Sequence, residues 1–544
     1  MKHLIKLGAL TFFILCFLSC ISVKKHNARL GVLHSPEALQ KDVDYAYRKL
    51  KKLHPRLYQF VSKETLDRKF DSLKTSLDSP MDSKHFYEKL SPVISEVRQG
   101  HISSNFPGKR YTRKEIKALN KLKLDFNDLD FEYVEDALWI SNTRGKDSSI
   151  VGSEVLSIDD KAIADVFKAY KKTFSSDGYN TTFQDRFLAF RFSQLYRKHQ
   201  GYLDSVSLKL RKSDSVFIKQ YKRYPKDSLD LAATIKDSLA MALGDTLAPK
   251  KKLTKAARKL KKKQHRAKRK YNQKRGYIAS RKHYNRNLEF LDTTGQTAYM
   301  QIRSWTNGPY KKFYEESFAK IDSAGTKTLI LDLRDNTGGR LDEIQDFYGY
   351  LVDKEYQFVN RAETNTRLPY FKGFFSPNET IVGGAIKGVL TPFLVVHNLL
   401  RSSKKDGKLV FKYKSSKIKQ PYPHNFKGKL YVLINGNSFS ASSILSTNLH
   451  ATQRAVFVGE ETGGGYNGTV AGHYKTIQLP NTKVRVRFGL MHIEAPYYSD
   501  QKGRGIPADH RIQPTAADRS QGIDPELEWI LEDIKKNGAL AKNK

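Results

Sequence analysis

The stretch from Lys429 to Gly468, KLYVLINGNSFSASSILSTNLHATQRAVFVGEETGGGYNG, constrains the fold more than any other. Leu430 to Ile434 is a short apolar run of the kind that makes a strand buried on both faces. The triplet Asn435-Gly436-Asn437 breaks it as a turn. Ser438, Ser440, Ser442 and Ser443 follow, interleaved with Phe439 and Ala441, before a helical pattern through Ile444, Leu445 and Leu449. A second apolar run, Ala455 to Val458, ends in glycines, so the unit reads strand, turn, helix, strand. Small hydroxyl residues therefore sit where a strand turns into a helix N-terminus. There a serine oxygen can face substrate while free backbone N–H groups face a developing oxyanion. Serine at a helix start also simply caps it, and from this stretch alone the two readings stay open.

A second strand-to-helix crossing has the same form. Thr328 to Gly339, TLILDLRDNTGG, is a buried strand that runs into Arg334, Asp335 and Asn336 and then a Gly pair ahead of a helical region, Leu341 to Leu351. Glycines after a strand let backbone come close to a ligand. Two such crossings can place an oxyanion donor and a nucleophile on one edge of one sheet. In DLRDNTGG, NSFSASSIL, RAVFVGEETGGG and GRGIPADHRIQPT, in that order over roughly residues 290 to 520, the chain resembles the C-terminal processing peptidases and tricorn-like serine peptidases.

The resemblance implies that Ser440 is the nucleophile and that the amides of Ala441 and Gly339 form the oxyanion hole. The processing-peptidase branch carries a base lysine in the glycine-rich segment, where this chain has Gly463-Gly464-Gly465-Tyr466. The tricorn-like branch uses a histidine from well upstream, and Val97-Arg98-Gln99-Gly100-His101 is similar to its Gly-His motif. Histidine, with an ordinary pKa of ~6.5, suits proton abstraction from serine. The resemblance thus points to His101 as base, with His473 second. Gly100 stands where that branch has serine, for which Ser103 or Ser104 could substitute. The carboxylate that orients a base histidine is expected in the C-terminal neighbourhood, at Asp500 or Glu494. No His/Glu pair has metal spacing, and neither metal nor cofactor is expected.

Residues 1–20 read as an export signal: Lys2 and Lys6, an apolar run from Leu7 to Leu18, then Cys20. Cys16 and Cys20 are the only cysteines of the chain, which leaves no disulfide for the mature fold and makes Cys20 a lipobox cysteine, acylated after cleavage, although Phe17 is atypical there. This places the protein at the bacterial cell envelope, lipid-anchored and facing the periplasm. Helical spacing from Ser35-Pro36, over Lys63–Leu77 and over Ser83–Val97, makes 21–115 an N-terminal helical domain that carries Gly-His. In 116–225 the pattern changes to short strands (Phe131–Val134, Ala137–Ile140, Glu154–Ile158), with Phe187–Tyr196 helical; Ser153 to Ile163 resembles the strand and following helix of a PDZ-like module, which implies peptide binding by strand addition. A basic insertion, 226–288, follows. Between Lys250 and Arg286 it holds eighteen Lys or Arg and no acid, nearly half of the net charge of +40, and predicts a solvated helix or disorder. With an export signal in front, its counterpart is an anionic envelope polymer or lipid rather than nucleic acid.

The catalytic α/β domain spans 289–520. It begins with Thr297–Ile302 and carries a lid or side wall over Glu355–Lys427; 521–544 is a C-terminal helix and tail packing through Leu527, Ile530 and Ile534. The expected fold class is multidomain α/β, with the helical domain, the PDZ-like module and a crotonase-like catalytic domain carrying the basic insertion. The expected function is a membrane-anchored serine endopeptidase or processing peptidase acting on peptide or protein substrates through an acyl-enzyme. Two alternatives stand beside it: an inactive relative that binds peptides or hydrophobic ligands, and an envelope-tethering protein that acts through its basic insertion.

Overall fold

The computed structural model describes residues 22–145, 147–226, 254–306, 308–375 and 381–542. The expected signal with Cys16 and Cys20, and residues 227–253 of the basic insertion, lie outside the described residues.

After a short helix at Val23–Ala28 come α1 (Pro36–Leu53), α2 (Lys63–Thr75) and α3 (Ser83–Ser95). Each begins on the residue type that satisfies free helix-start amides. Ser35, Ser62 and Asp82 accept from the amides of Ala38, of Thr65, and of Lys84 and His85. α2 and α3 stop two residues before the expected Leu77 and Val97. Their last turns tighten into bonds three residues apart, Leu77 N–H to Lys74 C=O and Val97 N–H to Ile94 C=O. After α3 the chain passes His101 and enters β1 (Ser103–Asn105), which pairs with a C-terminal strand rather than with its own neighbours.

The middle of the chain builds an antiparallel sheet from β2 (Leu129–Val134), β3 (Ala137–Thr143), β4 (Glu154–Ile158), β5 (Ser205–Lys212) and β6 (Ser215–Lys222), in that order. α4 (Ile163–Lys171), α5 (Thr182–Phe190) and α6 (Phe192–Gln200) are its helices. The single helix expected over Phe187–Tyr196 is split at Arg191, whose φ of −112° and ψ of 9° leave the helical region. This module has its own core, from Leu124 and Phe126 to Leu210 and Tyr221. Beyond it, α7 (Lys255–Arg275) buries no residue, as its composition implies, and is docked only near its end, where Lys274 pairs with Glu316 and Tyr284 donates to Asn272.

The central sheet runs β7 (Arg286–Phe290), β8 (Thr297–Ile302), β9 (Thr328–Asp332), β10 (Lys429–Ile434), β11 (Val456–Gly459) and β14 (His510–Arg511). Only β7 is antiparallel to its neighbour. The crossovers run through α8 (Lys311–Ser323), α9 (Leu341–Tyr348) and α11 (Ala441–Ala451), with the longer α10 (Ile381–Arg401) inserted between α9 and β10. Strand alternation divides the sheet's side chains between two layers. Leu329, Leu331, Leu430, Val432 and Ile434 join the main core, while Ile330, Tyr431 and Leu433 join Ile530 of α12 (Pro525–Lys542). A second sheet is built on the hairpin β12 (Thr469–Gln478) and β13 (Arg485–Ile493), which pair from Thr469 to Gln478 through a bulge at Ala471/Tyr474.

β1 joins this second sheet in the register Ser103 to Arg487, Ser104 to Val486 and Asn105 to Arg485. The main core runs without a break from Leu39, Val43 and Leu50 of α1 to Leu331 and Val432 of the central sheet. Buried Asp42 of α1 accepts from the amides of Asn481 and Thr482 and from the Thr482 hydroxyl at the hairpin turn. The front of the chain is thereby tied to the domain at its rear.

Candidate active site

Ser440 stands between β10 and α11 with φ +57° and ψ −114°, a region that a residue with a Cβ enters only when its surroundings force it. It is the N-cap residue of α11, yet its side chain makes no capping bond. The other three serines of the run are committed to backbone. Ser438 donates to Leu333 C=O (2.8 Å), Ser443 to Ser438 C=O (3.0 Å), and Ser442 to Asn336 C=O (2.9 Å) while accepting from Trp305 Nε1–H (2.8 Å). Ser440 Oγ instead lies 2.9 Å from Nε2 of His101.

The first crossing packs directly beneath it. Asn435 and Asn437 donate their amides to Asp335 Oδ1 (3.1 and 2.9 Å), and Asp335 N–H donates to Asn435 Oδ1 (3.0 Å), cross-linking the two loops. A Cβ on Gly338, at φ +102°, would lie 2.8 Å from Ser440 Cβ and 3.0 Å from Ala441 N, so only glycine allows this approach. The neighbouring bridge to Trp305 uses Gly338 C=O and Arg340 N–H. The N–H of Gly339 between them is thus left out of that bridge, and the N–H of Ala441 stands in the first turn of α11, where helices lack internal acceptors.

His101 is held from three sides. Its ring lies 4.9 Å from that of Phe439, which stacks at 4.2 Å on Phe183. The preceding Gly100 donates its N–H to Asp177 Oδ1 (2.7 Å), and a Cβ on Gly100 would lie 2.6 Å from Phe439 Cζ. That contact explains why glycine stands where the tricorn-like motif has serine. Nδ1 of His101 lies 3.2 Å from the hydroxyl of Tyr474 on β12, and Arg487 stacks over the Tyr474 ring at 3.5 Å. Burial, with the Arg487 charge second, pushes the imidazole down to about 3, so it is neutral at pH 7. With the Ser440 hydroxyl donating to Nε2, Nδ1 carries the hydrogen and donates to Tyr474 Oη. Burial also pushes the Asp177 carboxyl up to about 6.

The expected orienting carboxylates are elsewhere, and this is a correction. Glu494 is engaged by Asn360 (3.3 Å), Arg56 (3.5 Å) and His492 (3.4 Å). Asp500 is exposed, and its backbone carbonyl accepts from Lys502 N–H. The place at Nδ1 belongs to Tyr474. His473, second choice as base, is its neighbour on the same strand and turns to the opposite side, where it stacks on Tyr370 at 4.6 Å. Ser104 bonds Ser91, and Ser103 pairs with Arg487 through β1. Tyr474 and Asp177 carry no motif. Among the described residues no group of three or more His, Cys, Asp or Glu side chains is placed to hold a metal ion.

A serine poised on a neutral imidazole beside free amides, at the edge of a parallel sheet, defines the class of serine hydrolases. Residues 296–515 match the model of peptidase family S41. The fold is similar to that of mature CPAF complexed with lactacystin (TM-score 0.59, 16% identity, covering 94% of this chain and 99% of that one). It is likewise similar to mature CPAF alone (TM-score 0.55, 17% identity, 90% and 95%). No curated protein matches the chain by sequence. Over residues 296–515 the chain is thus similar to peptidase family S41, a family of serine peptidases.

Proposed function

We propose that the chain is a lipid-anchored serine endopeptidase or processing peptidase of the bacterial envelope, of the histidine-base kind, with Ser440 as nucleophile and His101 as base. The observation that carries this reading is the 2.9 Å contact between Ser440 Oγ and His101 Nε2, made by a serine that caps nothing. Ser440 attacks a peptide carbonyl as its proton passes to Nε2. The Nδ1–H stays on Tyr474 Oη, which holds the tautomer in the way a carboxylate does elsewhere. The amides of Ala441 and Gly339 meet the oxyanion. His101 returns the proton to the leaving amine, and water then hydrolyses the acyl-enzyme by the same steps in reverse. Because burial and Arg487 disfavour the imidazolium, its formation depends on the negative oxyanion arising beside it.

The sheet β2–β6 with its helices is assigned as the PDZ-like module, and the central sheet with its crossovers as the crotonase-like domain. The outer strand β6 exposes Val216 and Ile218, which suits peptide capture by strand addition. A cavity of about 770 Å³ lies between the opposite edge of this module, at β2 and β3, and the loops after β9 and β10, lined among others by Ser141, Asn142, Asp335 and Asn437. The anchor is Cys20, and the anionic envelope partner belongs to α7 and its flanks. A tyrosine where a carboxylate is usual is the observation that favours the competing reading, a silent peptide binder.

The test is hydrolysis of quenched fluorescent peptides by the purified chain. Turnover lost in Ser440→Ala and in His101→Ala supports the peptidase, and peptide binding without turnover supports the silent binder. Incorporation of a fatty-acid label that is lost in the Cys20→Ser variant tests the anchor separately.

A further inference from the structure

Helix α10 is built inside out. An ordinary surface helix turns its apolar stripe to the core and its polar residues to water. Here Asn398 is buried and accepts from Tyr370 N–H (2.9 Å) while donating to Leu394 C=O (2.6 Å). Lys387 folds back onto the carbonyl of Phe374. The outward positions, at helical spacing, are Ile386, Val389, Leu390, Phe393, Val396 and Leu400, with Val389 74%, Phe393 75% and Leu400 83% exposed. Side chains so open have no facing wall, which makes this a convex apolar ridge rather than a groove for a peptide. A contiguous ridge of this kind calls for an occupant.

The charge around it says which. Residues 381–401 contain no Asp or Glu. Lys372 and Lys387 stand near the start of the helix, Arg401 ends it, and Lys404 and Lys405 follow, with Asp406 the one acid of that turn. An apolar stripe ringed by lysine and arginine is the signature of a helix lying in a lipid headgroup layer, where acyl chains take the stripe and anionic headgroups take the cations. An isologous contact with a second copy would bring the two basic rings together, which opposes it. Among the described residues no helix is long and apolar enough to cross a membrane, so α10 would lie on the bilayer.

We infer that α10 is a bilayer-docking element, whose outward ridge at Val389, Phe393 and Leu400 inserts into an anionic phospholipid surface. This holds whether or not the catalytic assignment does. It also gives the ridge a route to the active site. The short helix Pro369–Phe374 that carries α10 rests on β12, with Tyr370 stacked on His473 next to Tyr474.

The experiment is co-sedimentation of the full chain, and of the variant Val389→Asp/Phe393→Asp/Leu400→Asp, with vesicles of equal parts phosphatidylglycerol and phosphatidylcholine. The apolar leader contributes equally to both proteins, so the difference reads the ridge. The expected result is partition weaker by about tenfold or more in the variant, and loss of that difference on phosphatidylcholine alone or at high salt. Circular dichroism and labelling of Ser440 confirm that the variant is folded. Equal partition of the two proteins would overturn the inference. So would a dimer in sedimentation equilibrium that the variant loses while vesicle binding stays the same, which would give the ridge to a second copy.

Discussion

Among single residues, Ser440 is set apart from its three neighbouring serines by what its hydroxyl lacks, a backbone partner, and by what it has, an imidazole at 2.9 Å. Tyr474 supplies one neutral hydrogen bond to that imidazole, worth about 1 kcal/mol. Tyr474→Phe should therefore lower kcat by roughly fivefold with KM unchanged; a loss as large as that of His101→Ala would give the tyrosine a larger part. In the proposed mechanism the neutral imidazole is the working form, so kcat/KM should show no acid limb at histidine's ordinary 6.5. A limb near 6 that disappears in Asp177→Asn belongs to the Asp177 carboxyl. That carboxyl is raised in the folded state, from 3.8 to about 6. Its contribution to stability is therefore complete below 3.8 and is lost as pH rises through about 6, by up to about 3 kcal/mol. Asp177→Asn should be more stable than the parent at pH 8 by ~1–3 kcal/mol and lose that advantage by pH 4, as urea midpoints would show.

The elements explain which parts of the site could be read in advance. The two crossings were legible because a buried strand leaves an apolar run, and glycine or serine beyond it has few other uses; His101 was legible through a short motif. Tyr474 was not, since its place at Nδ1 depends on the register between β12, β13 and β1, which no local pattern encodes. The same register put Glu494 and Asp500 in the right part of the chain and in the wrong place. The Gly100 turn looked like a defect in the motif, yet Phe439 leaves it no room for a side chain, and Phe439 cannot retreat because Phe183 stacks behind it. Gly100→Ser should accordingly displace His101 and lower kcat by about 10²-fold, with Ser440 labelling slowed to match. An unchanged kcat would show that the ring yields.

For the molecule as a whole, the sequence suggested a string of separate domains, whereas α1–α3 share one core with the central sheet. Boundaries drawn from periodicity could not show this, because an apolar stripe on a helix does not name the surface it covers. The middle module has its own core, and α7 buries no residue. Replacing the Lys and Arg residues of α7 before Lys274 by Gln should leave kcat/KM within about twofold, since exposed charges contribute little to the fold. A large loss in peptide turnover would tie α7 to catalysis. The account depends above all on Ser440 being activated by a histidine from the opposite end of the chain. Reaction with a fluorophosphonate followed by peptide mapping measures this directly: one adduct, on Ser440, is predicted, forming at least about 10³-fold more slowly in His101→Ala. An adduct on another residue, or undiminished labelling without His101, would contradict it.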